Sequence, residues 1–192
     1  MSDELRDHGW ADATNSPDLD AISLTLIQPV GRPYVEALRP REVIGRSLTI
    51  AQALEASLEV EDLGWGSCVA QTDVIDGWSV ILEPNGWVTS LPEVVARLSD
   101  EGRAINLFWN VNAVMSFCVA DLGVVLRAFD PLLYDDSDPL PEELDLPFGQ
   151  PEIVRAASLA LIARLTGVRV ERSWLLERAR PTYLIPAPGS TD

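Results

Sequence analysis

Residues Gly77–Asn112 open with GWSVILEPNGW (77–87) and close with NLFWNVN (106–112). Three of the six tryptophans lie in this stretch, Trp78, Trp87 and Trp109, together with Asn85, Asn110 and Asn112. It reads as strand, tight turn, helix, strand. In Glu83-Pro84-Asn85-Gly86, Pro84 presets φ, Asn85 suits the bridge region and Gly86 accepts a positive φ. Ser90 and Glu93 have capping-box spacing, with Pro92 in the first turn. Val94, Val95 and Leu98 form an apolar helical face, and Gly102 suits the stop.

Outward from this segment, Asp76-Gly77 is a strong hairpin dipeptide that pairs Ser67–Thr72 with Trp78–Leu82. Residues 104–120 form one long bent strand or two strands, and Asp121-Leu122-Gly123 turns into Val124–Phe129. A first strand is expected near 22–28, broken by the prolines and glycine of Gln28–Pro33. Pro40 is expected to open a short helix to Arg46. Thr49 and Gln52 form a capping box ahead of Ala53, Leu54 and Leu58, and Gly64 and Gly66 end that region. Ile153, Val154, Ala157, Leu161 and Leu165 share one face of a helix over Pro151–Thr166, closed by Gly167. Ser173–Arg180 is a last short helix stopped by Pro181. These elements predict an α+β fold, a mainly antiparallel sheet built from hairpins with helices packed on it. Residues 1–20 lack periodicity and read as a disordered tail, 21–180 as one domain, and 181–192 as a loose tail.

Composition excludes more chemistry than it suggests. His8, the only histidine, lies in the expected tail, which argues against Ser-His-Asp and Cys-His nucleophile systems and His-based zinc sites. All 14 basic residues are arginine, so lysine Schiff bases and the P-loop lysine are absent, and there is no GxGxxG. No cofactor is expected. Cys68 and Cys118, outside any CxxC pair, read as buried free thiols. The formal charge is −16, and residues 1–150 hold 8 Arg against 26 acids. Such a surface repels nucleic acid and suits a basic protein partner. No apolar run is long enough for a membrane span, the N-terminus is unlike a secretory signal, and a cytoplasmic protein is expected.

Carboxylates are the remaining chemistry. Glu83 sits at a strand end where the turn itself needs no acid, and Asp73, Asp76 and Asp121 also lie at strand ends. Two of these could serve as acid and base, or they could cap turn amides. Strand alternation places Asn106, Phe108, Asn110 and Asn112 on one face and Leu107, Trp109 and Val111 on the other. Asparagine is disfavoured in strands, so the row serves either backbone groups at a bend or a polar ligand. Trp87, after the turn glycine, is the tryptophan expected to be partly exposed and in contact with a partner. The loop Asp130–Pro147 carries seven acids and no base. Its prolines do not fit a calcium loop, leaving a solvated segment or a dock for a basic partner.

The segments GWSVILEPNGW, ARLSDEG (96–102) and FWNVNAVMSF (108–117) resemble a family of uncharacterised proteins common in actinobacteria and catalogued as a domain of unknown function. The likeness runs through Glu83-Pro84-Asn85-Gly86-Trp87, Leu98-Ser99, Asn110-Val111-Asn112-Ala113 and Phe117. It extends to Phe129-Asp130-Pro131 and Leu165-Thr166-Gly167-Val168, covering roughly 22–172, with departures at Gly64–Ser67 and between Pro33 and Leu48. The resemblance implies an arginine-rich, lysine-poor genomic background and no particular activity. Two functional expectations follow from the residues. One is a non-enzymatic interaction module, immunity-like, antitoxin-like or regulatory, that binds through the Trp87/Asn110 motif or the acidic surface. The other is a small-ligand binder or carboxylate-dependent hydrolase that uses Glu83 with Asn110 and Asn112. The tentative binding set is Glu83, Asn85, Trp87, Asn110 and Asn112.

Overall fold

The computed structural model describes residues 2–13, 20–31, 34–59 and 67–187. Among these residues eight strands form one sheet: β1 (Ile22–Ile27), β2 (Glu42–Leu48), β3 (Ser67–Ile75), β4 (Trp78–Pro84), β5 (Arg103–Trp109), β6 (Met115–Asp121), β7 (Val124–Phe129) and β8 (Arg180–Pro186). Their order is β2-β8-β3-β4-β1-β5-β6-β7, with every neighbouring pair antiparallel. The expected α+β class holds, and so do the hairpins. Asp76 and Gly77 both take positive φ between β3 and β4, as do Leu122 and Gly123 between β6 and β7, the backbone a two-residue hairpin turn requires.

Helices cover both faces. α1 (Asp3–His8), α2 (Trp10–Ala13), α3 (Ile50–Ser57), α5 (Val154–Thr166) and α6 (Arg172–Glu177) lie on the face that carries Leu24, Leu26, Leu82, Leu107 and Phe117. α4 (Pro92–Leu98) and the 3-10 turns Tyr34–Leu38 and Val88–Ser90 lie on the face of Ile27, Ile81, Ala104 and Cys118. β1 is buried along its whole length because it sits mid-sheet with both faces covered. α5 is buried on more than its sheet face: Ala156, Leu159 and Ala160 are covered too, since α1 and α2 pack against it. Among the described residues no helix is long and apolar enough to cross a membrane.

Several expectations need correction. Pro40–Arg46 is not a helix; Glu42–Leu48 is edge strand β2, held by pairing with β8 in an irregular register. The Thr49/Gln52 capping box is present, but Ser90 does not cap α4. Its hydroxyl donates to the Trp87 carbonyl at 2.7 Å, and Leu91 is the N-cap residue. The segment after 180 is not loose through 187, because β8 fills the sheet between β2 and β3. Pro181 is tolerated there because it falls in the gap between the Gly45–Thr182 and Leu48–Arg180 pairs of an irregular ladder. Gly64, Gly66 and residues 188–192 lie outside the described residues.

The N-terminus is also ordered over Asp3–Ala13; residues 14–19 lie outside the described residues. Asp12 explains much of this order. Its carboxylate accepts the backbone N–H groups of Arg155 (3.0 Å) and Ala156 (2.8 Å), capping α5 from a distant point in the chain, where Ile153 offers no side-chain cap. Glu4 pairs with Arg164 at 2.9 Å and Asp7 with Arg169 at 3.1 Å. α1 has six residues, too few to be stable alone, so its order is tertiary and invisible to periodicity.

His8 is buried in this interface, bonded to the Val170 carbonyl, while its Nδ1 has no partner among the described residues. Burial lowers its pKa; Asp7, the Val170 carbonyl and Glu4 oppose the shift, and Arg169 adds to it. A histidine with a lowered folded pKa contributes stability that is complete above its unfolded value and is lost as pH falls. Hydrogen-exchange protection of amides 3–13 is therefore expected to hold above about pH 7 and to fall towards about pH 5. His8→Leu should flatten that dependence. Constant wild-type protection across the range would contradict this role.

Candidate functional site

The turn after β4 is built around Glu83. Asn85, not Gly86, takes the left-handed conformation (φ 55°), and its N–H donates to the Ala21 carbonyl at 2.9 Å. Gly86 is needed for a different reason. A Cβ there would stand 2.7 Å from Glu83 Cβ and 2.8 Å from Glu83 Oε2, so a larger residue would push the carboxylate aside.

The Glu83 side chain is fully buried and turns back under its own loop. Oε2 accepts from Val88 N–H at 2.8 Å, and Oε1 accepts from Thr89 N–H at 2.7 Å and also from the Thr89 hydroxyl. Burial pushes the carboxyl up, against the Thr89 hydroxyl and the Thr89, Val88 and Trp87 amides, which favour the charged form.

The polar contacts continue across three strands. Ser23 and Thr89 hydroxyls are 2.9 Å apart; since the Thr89 proton goes to Glu83, Ser23 is the donor. Asn106 Nδ2 donates to Ser23 Oγ (2.8 Å) and Thr25 Oγ1 (3.0 Å). The result is a directed chain, Asn106 to Ser23 to Thr89 to Glu83, that joins β5, β1 and β4. Asn106 Oδ1 has no partner among the described residues.

The tentative binding residues meet at one rim of the sheet but do not converge on a common site. Ile22 pairs with Pro84 on one side and Trp109 on the other, which places Asn85 and Asn110 on opposite sides of β1, roughly two strand spacings or ~10 Å apart. Asn110 is engaged in its own hairpin: Oδ1 accepts from Asn112 N–H (2.9 Å) and Val114 N–H (3.2 Å). This is the Asx geometry of a turn, and it ends β5 at Trp109, so the strand alternation drawn through Asn112 stops short of both residues. Asn112 is exposed on the loop. Trp87 is 38% exposed, while Trp78 and Trp109 are core.

Two of the other strand-end acids are engaged as well, while Asp76 is exposed in the β3–β4 turn. Asp73 pairs with Arg178 (2.8 Å) and Arg180 (3.1 Å), and Asp121 with Arg103 (2.8 Å). Cys68 and Cys118 are free and buried, and burial pushes both thiols up to about 11. Among the described residues no group of three His, Cys, Asp or Glu is placed to hold a metal ion.

A family of unknown function, DUF6461, matches residues 1–186. The chain belongs to this family. No curated protein and no solved structure matches it. The match reaches beyond the 22–172 covered by the sequence resemblance, taking in the helices that pack on α5 and strand β8, both integral to the fold. In this chain Glu83, Asn85 and Gly86 each have a structural task in the turn after β4, and Asn110 has another in its own hairpin. The residues that sequence reading missed are Ser23, Thr25 and Thr89, polar positions on buried strands or a short turn. In the sequence Asn106 stands out only as one of a row. The signal lay in β1, ISLTLI, where small hydroxyls alternate with large apolar residues on a strand with both faces covered.

Glu83→Gln replaces an acceptor-only group with an amide facing backbone donors. A loss of ~2–4 kcal/mol is expected, read as a lower midpoint in urea unfolding. Gly86→Ala should cost ~1–3 kcal/mol through overpacking against Glu83. Wild-type stability in both variants would contradict the role given to this carboxylate.

Proposed function

We propose that this protein is a non-enzymatic, acidic, cytoplasmic interaction module that binds a basic protein partner in the manner of an immunity protein, antitoxin or regulatory subunit. The observation that carries this reading is the form of the acidic segment Asp130–Pro147. Tyr134 and Phe148 stack at 4.8 Å and both pack edge-on against Phe129 at 5.4 Å. Glu143 is buried and paired with Arg127 at 3.0 Å. Glu143 therefore belongs to the fold, while Asp135, Asp136, Asp138 and Asp145 are exposed on a segment fixed by those contacts. Acids held in place attract a basic surface with less loss of chain entropy than a loose tail would. Formal charge of −18 over residues 1–150 adds electrostatic steering that is strongest at low salt. The half-exposed Trp87 offers an apolar contact of the kind that anchors interfaces.

The alternative, in which Glu83 acts with Asn110 and Asn112 on a small ligand, draws no support from the geometry. The carboxylate is sealed by its own loop, and the Asn110 oxygen is occupied by its own hairpin. Carriage of tagged protein through a native pull-down from the source cells tests the proposal. A stoichiometric basic protein should be retained at about 50 mM salt and largely released at about 500 mM. Trp87→Ala should weaken retention, and Asn110→Ala should not do so beyond its effect on stability. No partner at low salt would sink the reading.

A further inference from the structure

The two edges of the sheet are finished differently. β2 carries Glu42 and Arg46 and pairs with β8 through two register shifts, features that discourage further pairing. β7, VVLRAF, has no such protection beyond one irregularity beside Leu126. Its single charge, Arg127, is turned to Glu143 and to the Asp135 carbonyl at 2.7 Å. Val124 (60%), Leu126 (52%) and Leu122 (69%) are exposed at this edge. β7 is last in the sheet order, and among the described residues no other strand pairs with its outer side.

Acids flank this apolar edge. Asp121, whose carboxylate also pairs with Arg103, faces Val124 across the β6–β7 pair, and the turn at Gly123 is bonded to Ser99, next to Asp100 and Glu101. At the other end the chain enters Asp130, and Arg127 holds the segment bearing Asp135, Asp136 and Asp138. From this juxtaposition we propose that the outer edge of β7 receives an extended segment of a protein partner as an added strand, with arginine or lysine side chains meeting the acids at its ends. The main-chain ladder supplies affinity and the charges set polarity and choice of partner. A second copy of this chain is a poor occupant. Antiparallel pairing of two β7 edges sets the Asp121 end of one against the Asp130 end of the other, acid against acid. This inference rests on the basic-partner reading above and assigns its surface.

The probes are fluorescent peptides of about eight residues, the length of a typical strand. One alternates Arg with Val, the second has Glu in place of Arg, and the third is the Arg-Val peptide with alternate backbone amides N-methylated. Anisotropy gives affinity, hydrogen exchange locates the peptide, and thermal unfolding verifies the folded state of each variant. The Arg-Val peptide is expected to bind and to protect amides within 124–129. Affinity should fall at least about tenfold on N-methylation, in Val124→Lys and in Leu126→Lys, and stay within about twofold in Val43→Lys, which places the same charge on the β2 edge.

Binding that protects other amides, or that N-methylation leaves intact, overturns the β7 assignment and leaves the basic-partner reading standing. Equal binding of the Glu-Val peptide, or no binding of the Arg-Val peptide at low salt, overturns the edge proposal through its charge argument. A partner that the native pull-down still recovers in that case separates the two failures. A concentration-dependent dimer lost in Leu126→Lys would make a second copy the occupant and overturn the proposal.

Discussion

A carboxylate with no access to water sits where β4 ends, and its requirements organise the centre of the sheet. Glu83 needs donors, and the loop that follows supplies two backbone N–H groups and a hydroxyl within six residues. Meeting that need folds Trp87–Ser90 back over the sheet, and the Thr89 hydroxyl passes the contact to Ser23 and so to Asn106. Register follows from this. Slipping β4 by one residue against β1 would send Glu83 to the face packed on α5, among leucines and phenylalanine, with no donor in reach. The apolar alternation of these strands favours the same register, and the polar chain makes the alternatives more costly. Local and long-range preferences thus agree at a place where a buried carboxyl would otherwise be a liability.

The ends of the chain complete what the middle begins. Asp12 satisfies amides at the start of α5 that no neighbour in sequence can reach. β8 separates β2 from β3, and without it β2 would have no partner in the sheet. Arg180, at the start of β8, is almost wholly buried. It donates to the carbonyls of Trp174, Leu175 and Arg178 as well as to Asp73, so one guanidinium ends α6 and ties the strand to β3. These contacts span more than a hundred residues of chain in several cases, which makes the fold depend on both termini.

That dependence separates what was legible in the sequence from what was not. Asp76-Gly77 and Leu122-Gly123 announce their hairpins because the turn chemistry is local. The Thr49/Gln52 box and the Gly167 stop are local too, and both are present. β8 was hidden because Pro181 and Pro186 read as breakers, and only the irregular ladder with β2 shows why a proline is harmless there. The N-terminal helices were hidden because they are shorter than any periodicity. At the candidate site the turn was readable and its purpose was not. Nothing local says that Glu83 points inward, or that Gly86 is glycine to make room for it. Asn106, Asn110 and Asn112 look alike in a strand pattern. The hairpin places the first in the core network, gives the second to its own turn and leaves the third in solvent.

The acids of this protein therefore divide by position. Asp12, Asp73, Glu83 and Glu143 are each matched to amides, hydroxyls or arginines of the same chain, and their chemistry is used in folding. The exposed acids of the 130–147 segment are held outward by an aromatic cluster and by Arg127. Arg127 performs two tasks at once: it neutralises Glu143 inside and, by holding the Asp135 carbonyl, fixes a run of negative charge beside an unpaired strand edge. Screening in physiological salt extends over only ~8 Å, so exposed charges act mainly on what lies within about that distance. Arg127, which holds that segment, itself lies on β7, whose outer edge has no strand partner among the described residues. On the proposed reading, an electrostatic field that short-ranged gains specificity when it is combined with a directional surface, the role proposed for the sheet edge.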